Sequence, residues 1–166
     1  MKLILNVGSG TGVLTYHSFI DNVKPCEYEL IVYNMDLYTK QVHRVLSVNA
    51  NAEYSNVTEK IDFDYQCVDI ILAISPFNFS TINTETLRVL KHGGIFIILG
   101  NHSNKYLKNK DLIQSSIVSN VIEKKINEIE GYCRKIIRYI ASTYVSHVTD
   151  DSRTTILDTV RIFKKL

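Results

Sequence analysis

The sequence predicts an α/β fold, a doubly wound, mostly parallel sheet with an antiparallel closing strand. Three observations carry this expectation. Short apolar runs alternate with helical patterns, the form taken by a parallel sheet with crossover helices. The first run ends in closely spaced glycines, where a strand turns into a helix. The last third is rich in Ile, Val, Thr and Tyr, which favour a closing pair of strands.

The elements follow in order. Leu3-Ile4-Leu5-Asn6-Val7 is a short apolar run and reads as a buried strand. Residues 11–23 begin a helix that Pro25 stops. Residues 29–34 form a second strand and 43–49 a third. Val68-Asp69-Ile70-Ile71-Leu72-Ala73-Ile74 is the clearest β-run. Residues 80–91 read as a helix ended by Gly93-Gly94 as its C-terminal cap, with Ile95-Phe96-Ile97-Ile98-Leu99 as the next strand. From 111 to about 130, Leu112, Ile113, Ile117, Val118, Val121, Ile122, Ile126 and Ile129 recur at helical spacing. Residues 135–144 and 154–163 then read as the antiparallel pair.

Composition narrows the class. With 166 residues, 45% apolar and 22% charged, the chain suits one globular domain over 1–166. No apolar run approaches the ~20 residues of a membrane span. No basic stretch followed by an apolar one opens the chain, so a secretory leader is not expected, and the expected site of action is cytoplasmic. Seven glycines and two prolines exclude collagen-like and disordered chains. Cys26, Cys67 and Cys133 lie far apart without metal-ligand spacing, so they read as buried thiols in a reducing compartment and no metal is expected. Residues 1–85 carry five basic and ten acidic side chains, and 86–166 carry fourteen and seven. Such asymmetry can mark an anionic partner, although here the charges are scattered, as on solvated helix faces.

The densest local signal is Val7-Gly8-Ser9-Gly10-Thr11-Gly12. A strand, then spaced glycines, then a helix lets main chain approach a ligand without Cβ obstruction, with free N–H groups at the helix start facing it. The glycines fall as G-x-G-x-G, and Val13 occupies the third glycine position of the dinucleotide fingerprint. Asp36 closes the second strand. Ligands lie outside the carboxyl ends of parallel strands, so a carboxylate there can accept from both hydroxyls of a ribose.

These motifs resemble those of class I S-adenosylmethionine-dependent methyltransferases of the minimal kind. The stretch from Ile4 to Gly12 resembles the family's glycine-rich first motif. Val32-Tyr33-Asn34-Met35-Asp36-Leu37 resembles its ribose-binding turn, and Val48-Asn49-Ala50-Asn51-Ala52-Glu53 its adenine-binding segment. Val68-Asp69-Ile70-Ile71 resembles the opening of its fourth strand. Leu87-Arg88-Val89-Leu90-Lys91-His92-Gly93-Gly94-Ile95 resembles its helix-turn-strand signature, and 155–165 its final strand. The resemblance implies a Rossmann-like sheet of about seven strands. It also implies S-adenosylmethionine as cofactor, held by Asn6, Gly8, Ser9, Gly10, Thr11, Gly12, Asp36, Leu37, Asn51, Ala52 and Ser75.

The chain departs from that pattern at three residues. Asn6 and Asn51 are amides where the family has acids; they keep hydrogen-bonding capacity but supply no charge. His92 replaces the usual proline. The connection between Asp36 and Asn51 is short.

Methyl transfer from a sulfonium asks the protein for proximity, alignment and, for some acceptors, removal of a proton. The family's acceptor sits beyond the fourth strand, here Ser75-Pro76-Phe77-Asn78-Phe79. This stretch faintly resembles the polar-Pro-Pro-aromatic motif of amine-directed nucleic-acid methyltransferases, which makes Ser75 and Asn78 catalytic candidates. With the second proline missing, the stretch reads more readily as a polar loop whose two phenylalanines cover a pocket. His102, directly after the fifth strand, is the candidate general base for a hydroxyl acceptor.

The leading expectation is therefore a methyltransferase whose acceptor is a small metabolite or an RNA or other anionic substrate. A second expectation, motivated by Asn6, Asn51 and the shortened connection, is a catalytically silent interaction module. A detached effector or toxin domain, secreted and paired with an immunity or regulatory protein, belongs to the same alternative. An NAD-dependent oxidoreductase is disfavoured by the glycine spacing.

Overall fold

The computed structural model describes residues 2–8, 30–36, 52–54, 59–147 and 157–166. Among these residues, seven strands form one sheet in the order β3-β2-β1-β4-β5-β7-β6. They are β1 (Lys2–Val7), β2 (Leu30–Asp36), β3 (Ala52–Tyr54), β4 (Val68–Ile74), β5 (Leu90–Gly100), β6 (Val121–Lys124) and β7 (Thr159–Lys165). The first five are parallel neighbours, and β7 inserts antiparallel between β5 and β6. The expected doubly wound sheet with an antiparallel closing strand is what forms.

Alternation along the central strands divides the core between the two faces of the sheet. Ile4, Ile70, Leu72, Ile97, Leu99 and Ile162 point to one face and pack with helix α3 (Gly131–His147). Leu5, Val7, Ile71, Ala73, Phe96 and Ile98 point to the other, which is covered by helix α1 (Thr84–Val89) and the turns around Leu107 and Leu112. Both faces of β4 are thus covered, which is why its residues from Ile70 to Ile74 read as a continuous apolar run.

Four expectations are corrected. Helix α1 is shorter than 80–91. Its N-cap is Asn83, whose side chain accepts from the Glu85 and Thr86 amides, while Thr86 Oγ1 accepts from the Asn83 amide. Residues 80–82 are drawn away because Ile82 forms a parallel bridge with Ile113.

Gly93-Gly94 does not cap that helix. The helix ends at Val89, and the glycines form a bulge inside β5, where Lys91 to Gly94 stand opposite Asp69 alone. Gly93 has φ +71, and a Cβ on Gly94 would meet Leu90 Cδ1 at 2.6 Å. Lys91 Nζ pins the bulge to Asp69 Oδ1 at 3.0 Å.

The stretch 111–130 is not one helix. It contains the end of a single turn α2 (Asn109–Leu112), 3-10 turns at Ser115–Asn120 and Ile126–Glu128, and strand β6 between them. Pairing with β7 overrides the helical spacing, and Val118, Ile122 and Ile126 are left exposed.

Residues 135–144 are helical rather than β. Cys133, Ile136, Ile137 and Ile140 are all buried, at i, i+3, i+4 and i+7, and this stripe outweighs the β-branched content. Residues 11–23 and 43–49 lie outside the described residues; the strand beside β2 is Ala52–Tyr54.

Candidate functional site

Strand β1 is the point where the sheet reverses, with β2 on one side and β4 on the other. In open α/β sheets the crevice for ligands lies beyond the carboxyl ends of the strands at this point. The residues that finish these strands therefore form the candidate site.

Asn6 is a buried amide, 2% exposed, in register between Asn34 of β2 and Leu72 of β4. Gly8 follows the end of β1 with φ +64, a conformation natural to glycine. Asp36 ends β2, opposite Tyr54, and its main chain stands at the same edge as Gly8. Ala52 opens β3 opposite Asn34. Ser9, Gly10, Thr11, Gly12, Leu37 and Asn51 lie outside the described residues.

Ser75 follows β4 directly. Its φ is +50, uncommon for a residue with a Cβ, and its amide donates to Leu99 O at 2.7 Å. Its Oγ is buried with no hydrogen-bond partner among the described residues. A strained backbone and an unmatched polar atom at a strand end fit a position that faces a polar ligand. Asn78, at φ +64, is exposed on the same loop.

The two phenylalanines of this loop separate. Phe79 packs against the core beside Gly8, whereas Phe77 is 74% exposed. Phe77 meets Tyr106 edge to face, with ring centroids 5.6 Å apart. Asn104 Nδ2 donates to Pro76 O at 2.8 Å, which ties the loop after β4 to the turn after β5.

His102 lies in that turn. Its amide donates to Asp158 Oδ1 at 2.7 Å, and its Nδ1 lies 2.5 Å from Asp158 Oδ2. Thr159 Oγ1 also donates to Asp158 Oδ1, at 3.0 Å. The hydrogen bond from the His102 ring is the main reason the Asp158 carboxyl titrates below its ordinary range. Sequence reading missed Asp158 because it stands 56 residues downstream. Only the fold brings it there: Asp158 immediately precedes a strand antiparallel to β5, and Gly100 pairs with Thr159.

The structure thus brings Asn6, Gly8 and Ser75 to the ends of adjacent strands and places His102 one strand further along the same edge. Among the described residues, no group of His, Cys, Asp and Glu side chains could hold a metal ion. No described helix is long and apolar enough to cross a membrane.

No protein-family model and no curated protein matches the chain. Solved structures do. A 30S ribosomal A1408 methyltransferase from an uncultured bacterium is 16% identical, with 99% of this chain and 87% of that one covered and a TM-score of 0.56. The plantazolicin methyltransferase in complex with SAH is 12% identical over 99% of this chain and 76% of its own, with a TM-score of 0.53. The chain spans 55% of the length of a SAM-dependent methyltransferase from Aquifex aeolicus, which is 25% identical over 59% of this chain with a TM-score of 0.43. The fold is that of the class I S-adenosylmethionine-dependent methyltransferases.

Proposed function

We propose that the chain transfers a methyl group from S-adenosylmethionine to a small-molecule or RNA acceptor, acting in the cytoplasm. The observation that carries this reading is the sheet's switch point, where Gly8 at positive φ, Asp36 and the strained Ser75 end three neighbouring strands. When bound, the cofactor supplies a methyl group on a sulfonium whose leaving group is a neutral thioether.

The chain's own residues divide the remaining work. Gly8 and the following Ser9, Gly10, Thr11 and Gly12 would admit the cofactor against bare main chain. Asp36, with Leu37, would hold the ribose. Ala52, expected with Asn51 at the adenine, stands at the amino end of β3, so the adenine would lie beyond Tyr54 at the strand's carboxyl end. Asn6 and Ser75 would offer neutral hydrogen-bonding groups to the amino-acid end. Asn78 and the exposed Phe77 border the acceptor side. The excess of basic residues after residue 85 is compatible with an RNA or phosphorylated acceptor.

Calorimetric titration with S-adenosylmethionine and SAH, with NAD as control, tests the reading. Micromolar binding of the first two and not of NAD is expected. Asp36→Ala should weaken it at least tenfold, since hydrogen bonds to a charged group contribute roughly 1.5–3 kcal/mol each. Absence of binding would favour the alternative, an interaction module or effector domain working with an immunity or regulatory protein.

A further inference from the structure

We infer that His102 and Asp158 form a proton-accepting dyad, with His102 as the catalytic base and Asp158 as its positioning residue, and that the acceptor is therefore a hydroxyl compound. The inference rests on the methyltransferase reading and adds the chemistry of its second substrate.

Three features distinguish this pair from a chance surface contact. First, Asp158 grips His102 twice, through the main-chain amide at 2.7 Å and through the ring at 2.5 Å, and Thr159 Oγ1 donates to the same carboxylate at 3.0 Å. The carboxylate is therefore fixed before any acceptor arrives. Second, a carboxylate only accepts when ionised, so a neutral ring must carry its proton on Nδ1. Nε2 is then a bare lone pair. The side chain is 77% exposed, and no described residue holds Nε2. Third, the pair stands on the ligand edge of the sheet. His102 follows the end of β5, Asp158 precedes the start of β7, and Gly100 pairs with Thr159 between them. β4 ends alongside, because the Ser75 amide donates to Leu99 O.

The charged surroundings leave that role to Asp158. The loop 75–79 carries no ionisable side chain. The turn after β5 contributes Lys105, whose ammonium lies 5.1 Å from the Tyr106 ring centroid. The exposed Phe77 ring, on the loop after β4 and braced by Tyr106, offers a flat surface for a planar acceptor.

The step balances. Nε2 takes the proton of the acceptor hydroxyl while the oxygen's electron pair forms the C–O bond to the methyl carbon. The C–S bond breaks and its pair stays on sulfur, giving the neutral thioether. The imidazolium then returns its proton to water. An acceptor with a free nitrogen lone pair would need no such base.

The test begins without ligand. Nitrogen-15 NMR of the full chain, at a pH where the ring is neutral, should show the His102 proton on Nδ1, and Asp158→Ala should shift the ring toward the Nε2–H tautomer. A wild-type ring protonated on Nε2, or a tautomer unchanged in Asp158→Ala, would overturn the dyad. The second measurement is transfer of labelled methyl groups to the hydroxyl probes catechol and phenol, which keep their protons at neutral pH, and to the ring-nitrogen probe nicotinamide. His102→Ala and Asp158→Ala should each lower hydroxyl transfer by roughly 10²–10⁴-fold, the scale of general-base catalysis. The double variant should be no worse than His102→Ala, and SAH affinity should be unchanged. A wild-type protein that methylates nicotinamide but neither hydroxyl probe would refute the acceptor class. Loss of SAH binding in the wild type would instead sink the methyltransferase reading, whatever the tautomer.

Discussion

Phe79 lies so close over Gly8 that a Cβ on that glycine would stand 3.0 Å from the ring's Cε1 and 3.1 Å from Cζ. The loop after β4 thus closes directly on the first residue after β1. Two demands meet at Gly8, a φ of +64 and the absence of a side chain. Gly8→Ala should therefore be destabilising by about 1–3 kcal/mol, combining left-handed backbone cost with displacement of the ring. Urea unfolding should show a lower midpoint at unchanged slope, and SAH binding should fall. Restoring space with Phe79→Leu should recover part of the stability. An alanine variant as stable as wild type would refute the packing account.

Ser75 is the place where binding and stability are set against each other. Its φ of +50 is costly for a residue with a Cβ, and its Oγ is buried without a partner among the described residues. Ser75→Gly removes both costs. It should stabilise the protein by about 1 kcal/mol, which is the range for relieving such a conformation. It should also weaken cofactor binding if the hydroxyl faces the ligand. Thermal unfolding and calorimetry on the same variant check both signs. A glycine variant that is less stable would show that the hydroxyl or its Cβ packs productively.

Much of this site is legible in the sequence because strand ends are legible. Val68–Ile74 announces itself through burial on both faces, and Asp36 through its place at the end of an apolar run. What stays hidden depends on partners distant in the chain. Strand β6 exists because β7 offers it an edge, and its own Ile122 remains exposed, so no local pattern marks it. Helix α3 carries two competing signals, β-branched content and the Cys133, Ile136, Ile137, Ile140 stripe, and burial against the sheet decides for the stripe. The start of α1 moves from 80 to Thr84 because Ile82 is claimed by Ile113. Asp158 is invisible until β7 is known to run antiparallel to β5.

Glu85 and Arg88 fasten the segment around residue 61 to α1. Glu85 accepts twice from Arg88, at 2.9 Å each, and once from the Ile61 amide at 2.9 Å. Arg88 donates onward to Phe63 O at 2.9 Å and Ile61 O at 2.6 Å. The Arg88 hydrogen bonds, foremost, hold the Glu85 carboxyl below the usual carboxylate range. Its folded value is lowered, so its stabilisation is present above the unfolded value of about 4.3 and is lost as pH falls through the folded one. Glu85→Gln should cost about 1.5–3 kcal/mol at neutral pH, the scale of hydrogen bonds to a charged group. The difference from wild type should vanish in acid. Denaturant unfolding from pH 7 to pH 3 checks this; a difference that stays constant would mean the carboxylate's charge contributes nothing.

Lys165 closes the opposite end of α1. It is 8% exposed on β7, and its ammonium donates at 2.7 Å to Leu87 O and at 2.7 Å to Leu90 O. These carbonyls lie at the carboxyl end of the helix, where a cation is favoured and free acceptors are otherwise left over. Lys165→Met keeps the length of the stem and removes the donor. It should cost about 1–3 kcal/mol, the penalty for buried acceptors left unmatched. Burial also lowers the Lys165 pKa, and this sets the pH dependence. Between the lowered folded value and the unfolded value of about 10.4, the unfolded chain binds more protons than the folded one, so this group's contribution to stability rises with pH. The advantage of wild type over Lys165→Met should therefore widen as pH is raised through that window. The neutral amine still donates to both carbonyls, while the desolvation cost of the charge disappears. Urea unfolding of both proteins at pH 7, 9 and 10 measures it. An advantage that shrinks as pH rises would mean the two carbonyls stabilise the ammonium by more than its burial costs.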